Sequence, residues 1–139
     1  MDHSQEDILQ SHSIKFLEAA LRTDRQLVMP NADGHGCKTG DCGDTVEFFL
    51  TLKKDRIDSI SYEINGCINT NACANAVIDL LKGQSLDKAW SLNPEDVSDY
   101  LESLPPDHFH CAELAVGALY LTLADAREKQ KSPWKKFYS

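Results

Sequence analysis

The sequence predicts an α+β fold, a small, mainly antiparallel three-stranded sheet packed against about four to five helices. Residues 45–53 alternate strictly between apolar and polar, residues 59–64 do the same after a tight connection, and the flanking segments repeat their apolar residues every three to four positions. Those are the periods of a half-buried strand and of an amphipathic helix. At 139 residues with 42% hydrophobic content, the chain suits a single domain over 1–139 with one core. Flexible ends are expected at about 1–5 and 131–139.

The first helix is expected from about Ser4 to Arg22, where Leu9, Phe16, Leu17, Ala20 and Leu21 share a face. Residues 23–40 hold Pro30, Asn31, Asp33, Gly34, Gly36 and Gly40, and read as an irregular segment with room for one short edge strand. In the next strand Val46, Phe48, Leu50 and Leu52 face one way. Lys54-Asp55 turns the chain into a second strand with Ile60, Tyr62 and Ile64 inward, so the pair forms an antiparallel hairpin, each strand keeping one wet face.

Asn69 or Thr70 is expected to cap a helix whose Cys73, Val77, Leu80 and Leu81 share a face and which stops at Lys82-Gly83. A short helix follows around Leu86–Trp90. Asn93-Pro94-Glu95-Asp96 then supplies a cap, a first-turn proline and first-turn carboxylates for a helix to about Ser103. Leu104-Pro105-Pro106 ends it, and Asp107 is expected to cap a long, broadly apolar last helix reaching about Lys129.

The net charge of −8 argues against nucleic acid or an anionic membrane surface as partner. No apolar run approaches bilayer-spanning length and the N-terminal residues lack a secretory pattern, so a cytoplasmic protein is expected. In that compartment five cysteines point to free thiols, metal ligation or redox chemistry rather than disulfides.

Three of the thiols stand at element boundaries. Cys42 lies between Gly40 and Gly43 before the first hairpin strand, Cys67 between strand and helix, and Cys111 in the opening turn of the last helix. Helix N-termini carry partial positive charge, which favours thiolate at Cys67 and Cys111. With Asp44 and His110 beside them, the candidate donors are three thiolates with a carboxylate or an imidazole, a set suited to zinc or an iron–sulfur cluster. Separated cysteines without a Cys-x-x-Cys pair also fit small buried hydrophobes. Cys73 is read that way, from its helical phase with Val77, Leu80 and Leu81. Cys37 stays open as a spare ligand, a resolving thiol or an inert surface residue. His3, His12, His35 and His108 are read as solvated.

Cys42-Gly43-Asp44 before a hairpin, Gly66-Cys67 before a helix, the run from Lys82 to Ala89, Leu104-Pro105-Pro106 and His110-Cys111 occur in an order that resembles the IscU and NifU amino-terminal family of iron–sulfur cluster assembly scaffolds. The resemblance spans about Asp41–Lys129. It implies that Cys42, Cys67 and Cys111 are cluster thiolates, Asp44 a carboxylate that ligates or keeps the cluster labile, and His110 an alternative ligand. It further implies a transient 2Fe-2S cluster built from iron and the sulfur of a cysteine desulfurase, Cys111 as first persulfide acceptor, recipient apo-iron–sulfur proteins, and a monomer or weak homo-oligomer. Zinc is the other metal these donors would take. Cys42 to Cys67 is 25 positions and Cys67 to Cys111 is 44, without the long insertion of the zinc-dependent sulfur-acceptor branch. A zinc-bound sulfur acceptor working as a sulfurtransferase is the competing function, and a domain that has lost assembly activity is a third.

The departures mark a divergent branch. Asp107-His108 follows Leu-Pro-Pro where the bacterial and mitochondrial members carry Val-Lys, so recognition by a DnaK-type chaperone is not expected. His108 replaces the usual lysine three residues before the last site cysteine. Ile68-Asn69-Thr70-Asn71-Ala72-Cys73 replaces a run of glycine, serine and alanine, and the loop 31–39 and aromatic tail are atypical.

Overall fold

The structure is a computed structural model that describes residues 13–132. In chain order it comprises α1 (Ile14–Leu21), β1 (Gly34–Thr39), β2 (Thr45–Lys53), β3 (Arg56–Asn65), α2 (Ile68–Leu81), α3 (Leu86–Trp90), α4 (Pro94–Leu101), a 3-10 turn (Pro106–His108) and α5 (Phe109–Lys131). The three strands form an antiparallel sheet in the order β1-β2-β3. The α+β prediction is therefore met, with five α-helices among the described residues. Among the described residues no helix is long and apolar enough to cross a membrane. The expected helical residues 4–12, the flexible N-terminus and the tail from 133 lie outside the described residues.

The hairpin follows from its pattern. Val46, Phe48 and Leu50 of β2 and Tyr62 of β3 are fully buried. Lys54 and Asp55 both take positive φ, +53° and +63°, the conformation that lets a two-residue loop match the strand twist. Between Thr51 and Leu52 the register shifts, because Thr51 pairs Ser59 and Leu52 pairs Ile57, so Asp58 is an extra residue in β3.

The outer face of the hairpin is not wet as expected. Phe49 is buried and stacks on His35 at 4.9 Å, while Ser61 Oγ donates to Leu27 O at 2.6 Å. Residues 26–33 cover this face, with a bridge between Gln26 and Tyr62. His35 also pairs with Glu47, so it is not simply solvated.

The glycine-rich stretch read as mostly irregular is where the edge strand β1 lies, and its glycines serve the packing of α5. A Cβ at Gly36 would stand 2.4 Å from Thr122 N, and one at Gly34 would stand 2.7 Å from Thr122 O. The α5 backbone thus lies directly on β1, a close approach that any side chain would block. Leu119, Thr122, Leu123 and Ala126 of α5 are buried beneath it, and truncating a core leucine such as Leu119 to alanine would cost about 2–5 kcal/mol.

Caps explain most helix limits. Ser13 Oγ accepts from Phe16 N at 3.0 Å to start α1, on which Leu17 is half-buried and Leu21 exposed rather than inward. Asn93 and Asp96 form a reciprocal capping box with Pro94 in the first turn of α4, as expected, but α4 ends at Leu101 because Glu102 takes φ +66°. Two expected caps are not made. α2 begins at Ile68 with Cys67 in the cap position, so Asn69 and Thr70 fall inside the helix, and α5 begins at Phe109 with His108 there. Asp107 falls inside the 3-10 turn instead.

Candidate metal centre

The turn joining β1 to β2 is closed by Gly40 N donating to Asp44 O and Gly43 N donating to Gly40 O, each at 2.9 Å. Gly43 has φ +89°, which only glycine adopts without strain. Cys42 sits exposed on this turn, next to an open pocket that it shares with Lys38, Asp41, His110, Glu113 and Leu114. Asp44, at the end of the turn, lies across Gly66. A Cβ on Gly66 would stand 2.7 Å from Asp44 Oδ2, so the glycine before Cys67 makes room for the carboxylate.

Two helix N-termini meet there. In α2 the N-cap residue is Cys67 and the third helical residue is Thr70; in α5 the N-cap is His108 and the third helical residue is Cys111. Side chains at those two positions lie on the same side of a helix start, the spacing that a capping box exploits. Cys67, His108 and Cys111 consequently place donor atoms within 4.8 Å of one another. Thr70 ties the group to the turn: its hydroxyl donates to Asp44 Oδ2 at 2.7 Å and lies 3.5 Å from Cys111 Sγ and 3.7 Å from Cys67 Sγ. The hydroxyl carries a single proton, so it serves one of these contacts at a time. His110 Nε2 is 3.7 Å from Cys111 Sγ, on the side of the Cys42 pocket.

The two thiols differ in their electrostatics. Partial burial raises the pKa of Cys67, but hydrogen bonds from the backbone and side chains of Thr70 and Asn69 outweigh it and leave the group below its ordinary value. Cys111 has no exposed surface, and burial pushes its thiol up to about 11, with the hydrogen bond from Thr70 opposing and the charges of Cys67 and Asp44 adding. The expectation that a helix start favours thiolate therefore holds at Cys67 and fails at Cys111, because a dipole of about half a charge does not offset full desolvation. Metal-free protein should react with iodoacetamide at Cys67 first as pH rises, and Cys111 should stay protected until alkaline pH. Peptide mass spectrometry across a pH series checks this, and preferential labelling of Cys111 at neutral pH would contradict it.

Cys73 is buried in α2 among apolar side chains and burial drives its pKa far upward, so it is a core residue as read. Cys37 is exposed on β1 opposite Glu47, its pKa raised by partial burial and by that carboxylate, and it is not part of the gathered group. His108, expected to be solvated, is half-buried with Nδ1 enclosed and lies in the gathered group; the sequence signal for that position is its three-residue spacing to Cys111 across a helix start. Thr70 and Gly66 were likewise missed as site residues, Thr70 having been read as a cap.

The family model described as NifU-like N terminal domain matches residues 27–133. The chain is 28% identical over 119 residues to the iron-sulfur cluster assembly scaffold protein IscU of Aquifex aeolicus, covering 84% of this chain and 76% of that one. It is 30% identical over 92 residues to the IscU scaffold protein of Escherichia coli (strain K12), covering 66% and 71%. With IscU 1 of Archaeoglobus fulgidus it shares 29% over 96 residues, a match that takes in 68% of this chain and only 63% of that protein's length. The structure superposes on the N-terminal part of a NifU-like protein from Brucella abortus with TM-score 0.68 at 17% identity, covering 88% of this chain and 98% of that one. A putative scaffold protein for the SUF system from Fervidobacterium islandicum gives TM-score 0.64 at 17% identity, covering 82% and 97%.

Proposed function

Because the chain belongs to the NifU-like N-terminal domain family, we propose that it is a scaffold on which a labile 2Fe-2S cluster is assembled from iron and desulfurase-derived sulfur before passing to recipient apo-proteins. The observation that carries this reading is the meeting of Cys67 and Cys111 at two helix N-termini, linked through Thr70 to Asp44 and through His110 to the pocket of Cys42. The cluster is cargo here. A 2Fe-2S cluster takes four protein donors; Cys42, Cys67 and Cys111 supply three, and Asp44 or His110 the fourth. Cys42, on an exposed turn, and Asp44, held by a single neutral hydroxyl, are donors that release readily. That suits a cluster meant to leave.

Sulfur delivery runs through Cys111 in this proposal. Its thiolate attacks the outer sulfur of the desulfurase persulfide, the donor S–S bond breaks, and the donor cysteine departs as thiolate. Burial keeps Cys111 protonated, so the step requires a cation beside it to lower its pKa, and Cys67 and the neighbouring imidazoles are placed to hold one. The same requirement supports a second reading, a zinc-bound sulfur acceptor serving a cysteine desulfurase.

Anaerobic incubation with ferrous iron, cysteine and a desulfurase separates the two. A scaffold develops visible absorption and Mössbauer spectra of a 2Fe-2S cluster and yields it to an apo-ferredoxin. Tight stoichiometric zinc that speeds desulfurase turnover, with no cluster formed, would establish the sulfur acceptor instead.

A further inference from the structure

We propose that His108, rather than His110, joins Cys67 and Cys111 as the third protein ligand of a single divalent metal ion, leaving a fourth position open. The inference rests on reading Cys67 and Cys111 as metal-binding thiols, and it gives this chain a mononuclear site within the larger donor set.

Four observations carry it. The donor atoms of Cys67, His108 and Cys111 are mutually within 4.8 Å, whereas Cys42, Asp44 and His110 fall outside that group. The geometry has a local cause, since His108 and Cys111 occupy the N-cap and third positions of α5 just as Cys67 and Thr70 do in α2, so both helix starts aim side chains into one space. The His108 side chain makes no cap bond to α5, so it is not committed to a structural bond there. And His108 Nδ1 is a buried side-chain nitrogen with no hydrogen-bond partner among the described residues. Buried polar atoms are almost always satisfied, so an imidazole gathered with two thiols and left with an unpaired ring nitrogen has donor capacity to spare. His110, by contrast, lies 3.7 Å from Cys111 Sγ and 5.7 Å ring to ring from His108, outside the mutual group, and lines the pocket of Cys42.

The donor chemistry sets the ion. Two thiolates and one neutral imidazole suit zinc or ferrous iron and exclude magnesium and calcium, which take oxygen ligands. Three protein ligands with an open fourth position are the arrangement of a reactive rather than a purely structural site. Ion binding replaces the S–H protons of Cys67 and Cys111, which leave to solvent, and so supplies the thiolate that burial otherwise withholds.

Cobalt(II) titration of the metal-free full chain tests the proposal, with thiolate-to-cobalt charge transfer counting sulfur ligands and the d–d bands reporting tetrahedral geometry. Wild type, Cys42→Ser and His110→Ala should each bind one equivalent with the tetrahedral spectrum. His108→Ala should bind at least about tenfold more weakly, the lower end of what losing even an outer partner of a metal ligand costs. His108→Gln, with thermal unfolding alongside, keeps a fold defect apart from a lost ligand. Competition with zinc and with anaerobic ferrous iron shows which ion the site prefers, and in the zinc form long-range 1H–15N correlation should place the metallated nitrogen on His108. Weakening by His110→Ala with His108→Ala unchanged overturns the proposal, as does absence of any thiolate–cobalt band in wild type. Failure to assemble a cluster while the cobalt site is intact would instead sink the scaffold reading alone.

Discussion

Serine in place of Cys67 or Cys111 is expected to abolish cluster assembly, with loss of the visible chromophore and of bound iron and sulfide after anaerobic reconstitution. Serine is nearly isosteric with cysteine but offers a hard, protonated oxygen where iron and sulfide need a soft thiolate. Both residues stand at the centre of the gathered donors, within reach of Thr70, so no neighbouring thiol can replace them. Cys42→Ser should also abolish assembly, because three thiolates are required, although it leaves the group of Cys67, His108 and Cys111 intact. Cys73→Ser is the control. Its side chain is fully buried, so a hydroxyl there costs about 1–3 kcal/mol of stability while assembly persists at temperatures where the variant is folded. Equal assembly by all four variants would refute the site.

A second large effect is expected at Asn75, far from any proposed ligand. Replacement by alanine should lower stability by at least about 2 kcal/mol, since each buried polar group left bare costs about 1–3 kcal/mol. Asn75 is fully buried in α2, and its amide donates to Ala19 O at 2.9 Å and Arg22 O at 3.0 Å, two carbonyls at the C-terminal end of α1. Those carbonyls have no partner within their own helix, so α2 supplies the C-terminal cap of α1 from across the interface. Asn71, one turn earlier, does the same for Ala19, Ala20 and Arg22, while the Tyr62 hydroxyl lies 2.6 Å from Asn71 Oδ1 and accepts from Asn75 Nδ2 at 3.1 Å. Because the two asparagines share these partners, Asn71→Ala combined with Asn75→Ala should cost less than the sum of the single losses. Denaturant unfolding of the four proteins measures it, and an unchanged midpoint for Asn75→Ala would show that the network contributes nothing.

Asn71 and Asn75 illustrate what was legible beforehand and what was not. Two asparagines four residues apart on the buried face of an apolar helix signal a polar demand from outside that helix, but nothing local names the donor of that demand. Asn71 was visible only as a departure from the family's small residues. β1 is a similar case: glycine normally marks a turn, and its role as clearance for α5 depends on which helix crosses which strand. Asp107 and Thr70 have good capping side chains, yet the 3-10 turn takes the first and Asp44 takes the second.

The sequence by itself determined the α+β elements, the tight turn at Lys54-Asp55, the capping box of α4 and the placement of three cysteines at element boundaries. Periodicity, caps and turn residues act over a few positions, so they survive without knowledge of the fold. Only the tertiary structure decided which donors meet, that His108 stands among them while His110 faces the Cys42 pocket, and that Cys111 is too buried to ionise as readily as Cys67. Those outcomes arise from two helix starts packing against one turn, and both convergence and desolvation are set through space between residues as far apart as Cys42 and Cys111, 69 positions along the chain.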